Sequence, residues 1–126
     1  IKWIDCHEPI ELFGDGSQTR DFSYVQDVAD GSIIASEMSN GYEVFNIGGG
    51  NKPTSMLEII KILESLLGKK ANINFMPQHI ADVNDTQADV GKAILKLNWK
   101  PSVQIEEGLR RTVEWYINNR ELCKFI

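Results

Sequence analysis

Between Phe13 and Asp27 the chain reads Phe-Gly-Asp-Gly-Ser-Gln-Thr-Arg-Asp-Phe-Ser-Tyr-Val-Gln-Asp, and this stretch constrains the fold more than any other. Gly14 and Gly16 bracket Asp15, which sets a tight turn or a positive φ. Ile10-Glu11-Leu12-Phe13 enters the turn as a short strand, and from Val25 the pattern becomes helical. Between them Thr19-Arg20-Asp21-Phe22 has alternating character. An arginine fixed beside a glycine turn suits a phosphate, because its planar fork can donate two parallel hydrogen bonds to one anion. The same residues also fit a surface hairpin in which Arg20 pairs with Asp15 or Asp21. The spacing alone leaves both readings open.

A chain of 126 residues is the size of one domain, so residues 1–126 are read as a single unit. A net charge of −5 and the lack of a basic stripe argue against a nucleic-acid partner. No apolar run is long enough for a membrane span, and no basic-then-apolar leader opens the chain, which begins at Ile1 rather than Met. Cys6 and Cys123 lie near opposite ends without a Cys-x-x-Cys pair, as expected of two reduced thiols in a cytoplasmic protein.

The remaining elements follow from pattern. Lys2–His7 reads as the tail of a helix ended by Glu8-Pro9. Val28, Ala29, Ile33, Ile34, Ala35 and Met38 cover more than one face of a helix from Val25 to Met38, which predicts burial on more than one side. Ser39-Asn40-Gly41 ends it. Glu43–Ile47 reads as a buried strand, followed by the loop Gly48-Gly49-Gly50-Asn51-Lys52-Pro53. That loop is no dinucleotide fingerprint, since Pro53 stands where the third glycine belongs, and Thr19 breaks the pattern begun at Gly14. It either admits a close approach or is plainly flexible.

Ser55-Met56-Leu57-Glu58 is a capping box opening a helix. Met56, Ile59, Ile60, Leu63, Leu66 and Leu67 form its core stripe, and Gly68 closes it. Ala71–Met76 reads as a strand. Asp89 is expected to cap a helix from Val90 to Lys96, and a last helix spans Ile105–Asn118 with Ile105, Leu109, Val113, Tyr116 and Ile117 inward and Gln104 as a poor cap. His79, Asp82, Asp85 and Asp89 gather polar chemistry in one segment, but their spacing matches no metal loop. The residues alone give a small α/β or α+β domain with an anion-friendly turn.

The opening stretch resembles the substrate-lobe signature of the extended short-chain dehydrogenase/reductase family, in particular NAD-dependent nucleotide-sugar epimerases and dehydratases of the UDP-glucose and UDP-glucuronate 4-epimerase type. Val44–Gly50, Ala81–Asp89, Leu97–Pro101 and Glu106–Tyr116 resemble later family segments in the same order, so the likeness runs over nearly the whole chain. It implies an α/β fold: a C-terminal substrate-binding lobe of an extended Rossmann-type enzyme, a small mixed sheet with helices, without the NAD-binding half. No tyrosine is followed four residues later by lysine: Tyr24 leads to Val28, Tyr42 to Asn46 and Tyr116 to Arg120. The resemblance therefore implies no catalytic residue here, NAD bound by the parent protein rather than by this chain, and a missing N-terminal NAD-binding domain as partner.

The resemblance further implies that Arg20 contacts the diphosphate of a UDP-sugar and Asp82 the uridine ribose. His79 stands where many members have a phosphate-binding arginine, Ala81 where a glycine is usual, and Phe22 packs on the ligand without the hydroxyl some relatives carry. Asp27 and Asn46 are expected to be structural, bonding backbone near the glycine loop. Without its partner sheet, the helix from Val25 and the strand from Glu43 are expected to drive self-association into a homo-oligomer. The competing reading is a free-standing, non-catalytic α/β module that binds a nucleotide or a protein.

Overall fold

The computed structural model describes residues 1–38, 41–50 and 52–125, the last two without their side chains. Its elements are α1 (Lys2–Cys6), β1 (Pro9–Phe13), β2 (Thr19–Arg20), α2 (Val25–Ser36), β3 (Thr54–Ser55), α3 (Met56–Leu67), β4 (Asn72–Met76), α4 (Gly91–Leu97), α5 (Ile105–Asn118) and a closing 3-10 turn, Leu122–Phe125. Mixed pairing is present and is divided between two ladders. β1 runs parallel to β4, with Ile10 opposite Ile73 and Leu12 opposite Phe75. β2 runs antiparallel to β3, with Thr19 opposite Ser55 and Arg20 opposite Thr54. A parallel pair needs a crossover, and here the chain between β1 and β4 contains α2 and α3.

α3 forms as its sequence dictates. The Ser55 hydroxyl accepts from Glu58 N–H at 3.2 Å, and the Glu58 carboxylate accepts from Ser55 N–H at 3.0 Å, so two orphan donors are satisfied reciprocally. Gly68 ends the helix at φ 64°. Its stripe makes the first core: Ile59, Ile60 and Leu63 bury against Ile4 of α1, Leu12 of β1 and Val113 of α5, with Met56, Leu66, Leu67, Ile105 and Leu109 half-buried around them. Burying one such side chain contributes roughly 1.5–3 kcal/mol. In α5 the inward set is narrower than the periodicity predicts, because Ile117 is 41 % exposed.

A second core lies between α2 and α4. Val90, Ala93, Leu97 and Trp99 are buried there, with Ile34, Ala35, Met38, Phe45, Ile47 and Ala88 packed around them. Asp27 is buried at the start of α2 and ties the Trp99 segment down. Its carboxylate accepts from Ser102 Oγ at 2.8 Å and Val103 N–H at 3.0 Å, and its carbonyl accepts from Trp99 Nε1 at 3.1 Å. Burial pushes this carboxyl up, but the Val103 and Ser102 donors outweigh it and its pKa is lowered.

Several expectations are corrected. α2 is buried on one side only: Val25 is 72 % and Ile33 58 % exposed, because α4 and the Trp99 segment cover a single face. α2 ends at Ser36 with Glu37 as its C-cap, two residues short of the expected Met38, while the expected stop at Ser39-Asn40 lies outside the described residues. Glu43–Ile47 forms no strand, although Phe45 and Ile47 turn inward while Val44 and Asn46 turn out. Alternating burial reports where side chains point, whereas a strand needs a ladder partner, and neither ladder includes these residues. The segment is held by side chains instead: Glu43 pairs with Lys92 at 2.7 Å and Lys96 at 2.5 Å, and Lys92 Nζ donates to the Val44 carbonyl at 2.7 Å. α4 begins one residue late, at Gly91, and Val90 occupies its cap position. Asp89 Oδ1 still accepts from Gly91 N–H at 2.9 Å, an Asx turn leading into the helix.

α1, α3 and α5 are also joined through Asp5. Its carboxylate accepts from Lys69 Nζ at 2.6 Å, Arg120 Nε at 2.9 Å and Tyr116 Oη at 3.1 Å. The Lys69 ammonium foremost, then Arg120 and Tyr116, outweigh burial and hold the Asp5 carboxyl at about 2 against an ordinary 3.8. A depressed carboxyl stabilises the fold above its ordinary pKa, and the contribution is lost as pH falls through the folded value. Asp5→Asn is predicted to cost about 2 kcal/mol at neutral pH, as for hydrogen bonds to a charged group. Melting curves should show that difference shrinking between about pH 4 and pH 2. A difference that stays constant down to about pH 2 removes Asp5 from this role.

Candidate functional site

The site is built where β2 meets the segment after β4. Thr19 fixes that segment with three bonds: its N–H donates to the Asn84 carbonyl at 2.8 Å, its carbonyl accepts from Thr86 N–H at 3.3 Å, and its hydroxyl donates to Asp85 Oδ1 at 2.7 Å. The register this imposes puts Arg20 beside the turn at 79–82. Arg20 Nη1 donates to the carbonyls of Thr19 at 2.8 Å and Asn84 at 3.2 Å, and Nη2 pairs with Asp82 Oδ1 at 2.6 Å. The guanidinium is thus oriented by backbone on one nitrogen and paired with a carboxylate on the other. The two side chains are 26 % and 30 % exposed, so solvent reaches both.

Arg20 therefore pairs with neither Asp15 nor Asp21. Asp15 Oδ1 accepts from Ser17 N–H at 2.9 Å within its own turn. Asp21 Oδ2 accepts from Gly50 N–H and from Ala88 N–H, each at 3.0 Å. This carboxylate holds the triple-glycine loop and the 79–89 segment together one residue after Arg20, whereas the sequence offers it only as a local partner for Arg20. The signal that could have found it is the glycine run itself. A Cβ on Gly49 would lie 2.1 Å from Asp21 Oδ1 and 2.5 Å from the Phe22 carbonyl, and one on Gly48 would lie 2.5 Å from Ala88 Cβ. The loop is glycine because the chain's own backbone and Asp21 fill that space.

Asn46 does bond near this loop, its Nδ2 donating to the Asp89 carbonyl at 3.1 Å. Asp27 does not: it holds the Ser102–Val103 segment, so the expectation placing it beside the glycine loop is corrected. His79 is exposed and shapes the turn that presents Asp82. Its carbonyl accepts from Asp82 N–H at 2.9 Å, and its Nδ1 accepts from Ala81 N–H at 3.2 Å. Ala81 does not strain that turn, because among the described residues only His7 and Asn98 are non-glycines with positive φ.

Phe22 goes elsewhere. It is half-buried against the first core and lines an open cleft of about 500 Å3 with Lys52, Thr54, Glu58, Lys61 and Gln104. A second hollow, about 360 Å3 and mainly polar, is lined by Asp15, Gln18, Gln78, Asn84 and Asp85 among others. It shares Asn84 with the support of Arg20. No cluster of metal-ligating side chains occurs among the described residues, and none of their helices is long and apolar enough to cross a membrane.

The fold is that of part of a Rossmann-type epimerase. It superposes on the UDP-glucuronic acid 4-epimerase from Bacillus cereus, solved with UDP-glucuronic acid and NAD, with a TM-score of 0.78 and 39 % identity over 86 % of this chain and 35 % of that one. The UDP-glucose 4-epimerase from Thermotoga maritima, solved with UDP-glucose, gives a TM-score of 0.84 and 35 % identity over 93 % of this chain and 37 % of that one. The model of the NAD dependent epimerase/dehydratase family matches residues 1–48. A UDP-glucuronate 4-epimerase of Thermodesulfobacterium geofontis is 53 % identical over all 126 residues. The chain is similar to members of that family over its whole length, and it spans 39 % of the length of that bacterial relative.

Proposed function

We propose that this chain is the nucleotide-sugar-binding part of an NAD-dependent sugar epimerase of the UDP-glucose/UDP-glucuronate 4-epimerase type. The observation that carries the proposal is the Arg20 guanidinium, pre-oriented by the Thr19 and Asn84 carbonyls and adjacent to the Asp82 carboxylate. A donor fixed before the ligand arrives loses little freedom on binding. In this reading Arg20 binds the diphosphate of a UDP-sugar, Asp82 accepts hydrogen bonds from the ribose hydroxyls, and His79, whose Nδ1 accepts from Ala81 N–H, offers its Nε2 N–H at the edge. Phe22 bounds the neighbouring cleft.

Acid–base and hydride chemistry is assigned to parts of the parent enzyme outside these 126 residues. In this reading none of the three tyrosines carries the proton. Tyr116 is bound to Asp5 and pushed up to about 12 by burial and that carboxylate, opposite to what catalysis near neutrality needs. Tyr24 lies under the Arg111 guanidinium, and Tyr42 is 92 % exposed. The glycines at 16, 48 and 49 are accounted for by the chain's own packing: a Cβ on Gly16 would lie 2.6 Å from Leu57 Cγ, and the approach to Gly48 and Gly49 is filled by Ala88 and Asp21. In this reading the nicotinamide cofactor is bound by an N-terminal NAD-binding domain of the parent.

The test is titration with UDP and with NAD+. UDP binding without NAD+ binding supports the reading, and binding of neither favours a free-standing interaction module. Arg20→Ala should weaken UDP ten- to 150-fold, the equivalent of about 1.5–3 kcal/mol for a hydrogen bond to a charged group. Arg20→Lys should restore only part, since a point charge replaces the fork. Unchanged affinity in Arg20→Ala removes Arg20 from the site.

The proposal also includes a cytoplasmic protein with both thiols free, and self-association through the uncovered side of α2. Val25 and Ile33 are both more than half exposed there, and exposed apolar surface recruits partners. Sedimentation at several concentrations should show species heavier than the 14.2 kDa chain. A single monomeric species throughout the concentration range would sink the self-association.

A further inference from the structure

We infer that the Arg20–Asp82 ion pair is a selectivity lock, which makes Asp82 an internal competitor for the diphosphate position and Arg20 available only to ligands that also satisfy Asp82. The inference rests on the proposed nucleotide site and goes beyond it. That reading assigns each residue a separate contact with the ligand, whereas the structure shows the two spent on each other.

The geometry supports three points. First, Asp82 Oδ1 sits 2.6 Å from Nη2, the distance of a charge-assisted hydrogen bond, and so holds the place of an oxyanion. An incoming phosphate oxygen must displace it. Second, Arg20 does not depend on Asp82 for its orientation, because Nη1 is held by the Thr19 and Asn84 carbonyls. Opening the pair leaves the fork in place. Third, the Asp82 side chain lies two residues before the anchored segment. Asn84, Asp85 and Thr86 are bound to Thr19, while Asp82 rides on the turn closed by the His79 carbonyl. The carboxylate can turn away from Arg20 without unseating the segment behind it.

Displacement has different consequences for different ligands. A nucleoside diphosphate brings hydroxyl donors, which give the released carboxylate new hydrogen bonds. Inorganic pyrophosphate brings none and leaves a carboxylate beside a polyanion, where like charges repel. The lock therefore penalises free phosphates and diphosphates without a diol, and favours those carrying a ribose.

The experiment measures pyrophosphate and UDP binding by calorimetry in the wild type, Asp82→Asn, Asp82→Ala and Arg20→Ala, with melting curves for each. Asp82→Asn and Asp82→Ala should both bind pyrophosphate three- to tenfold more tightly than wild type, the range between an exposed and a partly buried charge pair. UDP should weaken in both, so that its preference over pyrophosphate falls at least about tenfold. Arg20→Ala should weaken both ligands. Pyrophosphate affinity that is unchanged or lower in both Asp82 variants, with melting temperatures preserved, overturns the lock. If Arg20→Ala still weakens UDP in that case, the nucleotide site survives and only the lock fails. UDP binding indifferent to Arg20→Ala overturns the site and the lock together.

Discussion

The Asp21 carboxylate is the interaction on which the arrangement depends. One oxygen receives the N–H groups of Gly50 and Ala88, residues that belong to two different loops. Two charge-assisted bonds on a single oxygen fix those loops relative to β2, and β2 carries Arg20. On one side Ala88 leads into Val90 and the second core, and on the other Phe22 packs on the first. Positions 21 and 22 thus join both cores, and the arginine that faces solvent is the residue immediately before them. Gly49 follows from this join, since a Cβ there would lie 2.1 Å from Asp21 Oδ1, and Gly48 follows from the close approach of Ala88.

The other carboxylate hubs do different work. Asp27 closes the second core by tying the Trp99–Val103 segment to α2, and Asp5 closes the first by gathering Lys69, Tyr116 and Arg120. Both are shielded, and each satisfies its charge with several donors, which is the condition for a buried carboxylate to be tolerated. The pairs along α5, Glu107 with Arg110 and Arg111 and Arg110 with Glu114, lie on an exposed face. Exposed pairs of this kind contribute little. The shape of the protein is therefore set by three acidic side chains facing inward, in a chain whose overall charge is acidic.

What was legible in the sequence was local. α3 announced itself by its capping box, its stripe and Gly68, and α5 by its period, because these signals need no information from the rest of the chain. Glu43–Ile47 misled because alternation is a property of side chains, while a ladder belongs to two segments. α2 misled for a related reason: its apolar residues cover several faces, but how many are covered depends on what packs there. The pairing of Arg20 with Asp82 joins residues 62 positions apart, and no spacing rule within either segment predicts it. Those two residues were singled out by family resemblance, and their direct contact was not. Asp21 was passed over because an acid next to an arginine reads as its local partner. In an extended strand neighbouring side chains point to opposite faces, so Asp21 was free to serve the glycine loop while Arg20 faced the other way.

That alternation also bears on how the site and the fold are coupled. Because Arg20 ends β2 and Asp21 follows it with different partners, the charge paired with Asp82 and the charge that joins the cores are carried by adjacent residues without competing. Thr19 supplies the third element, three bonds that set the register of the segment carrying Asp82. A shift of one residue in that register would exchange the faces of all three side chains. It would part Asp21 from the Gly50 and Ala88 N–H groups, so the Arg20–Asp82 pair and the closing of the cores share one register. The short β2–β3 ladder alone is too small to enforce this, with two residue pairs. The Asp21 bonds add to it, and Gly49 leaves room for them, since a Cβ there would lie 2.1 Å from Asp21 Oδ1.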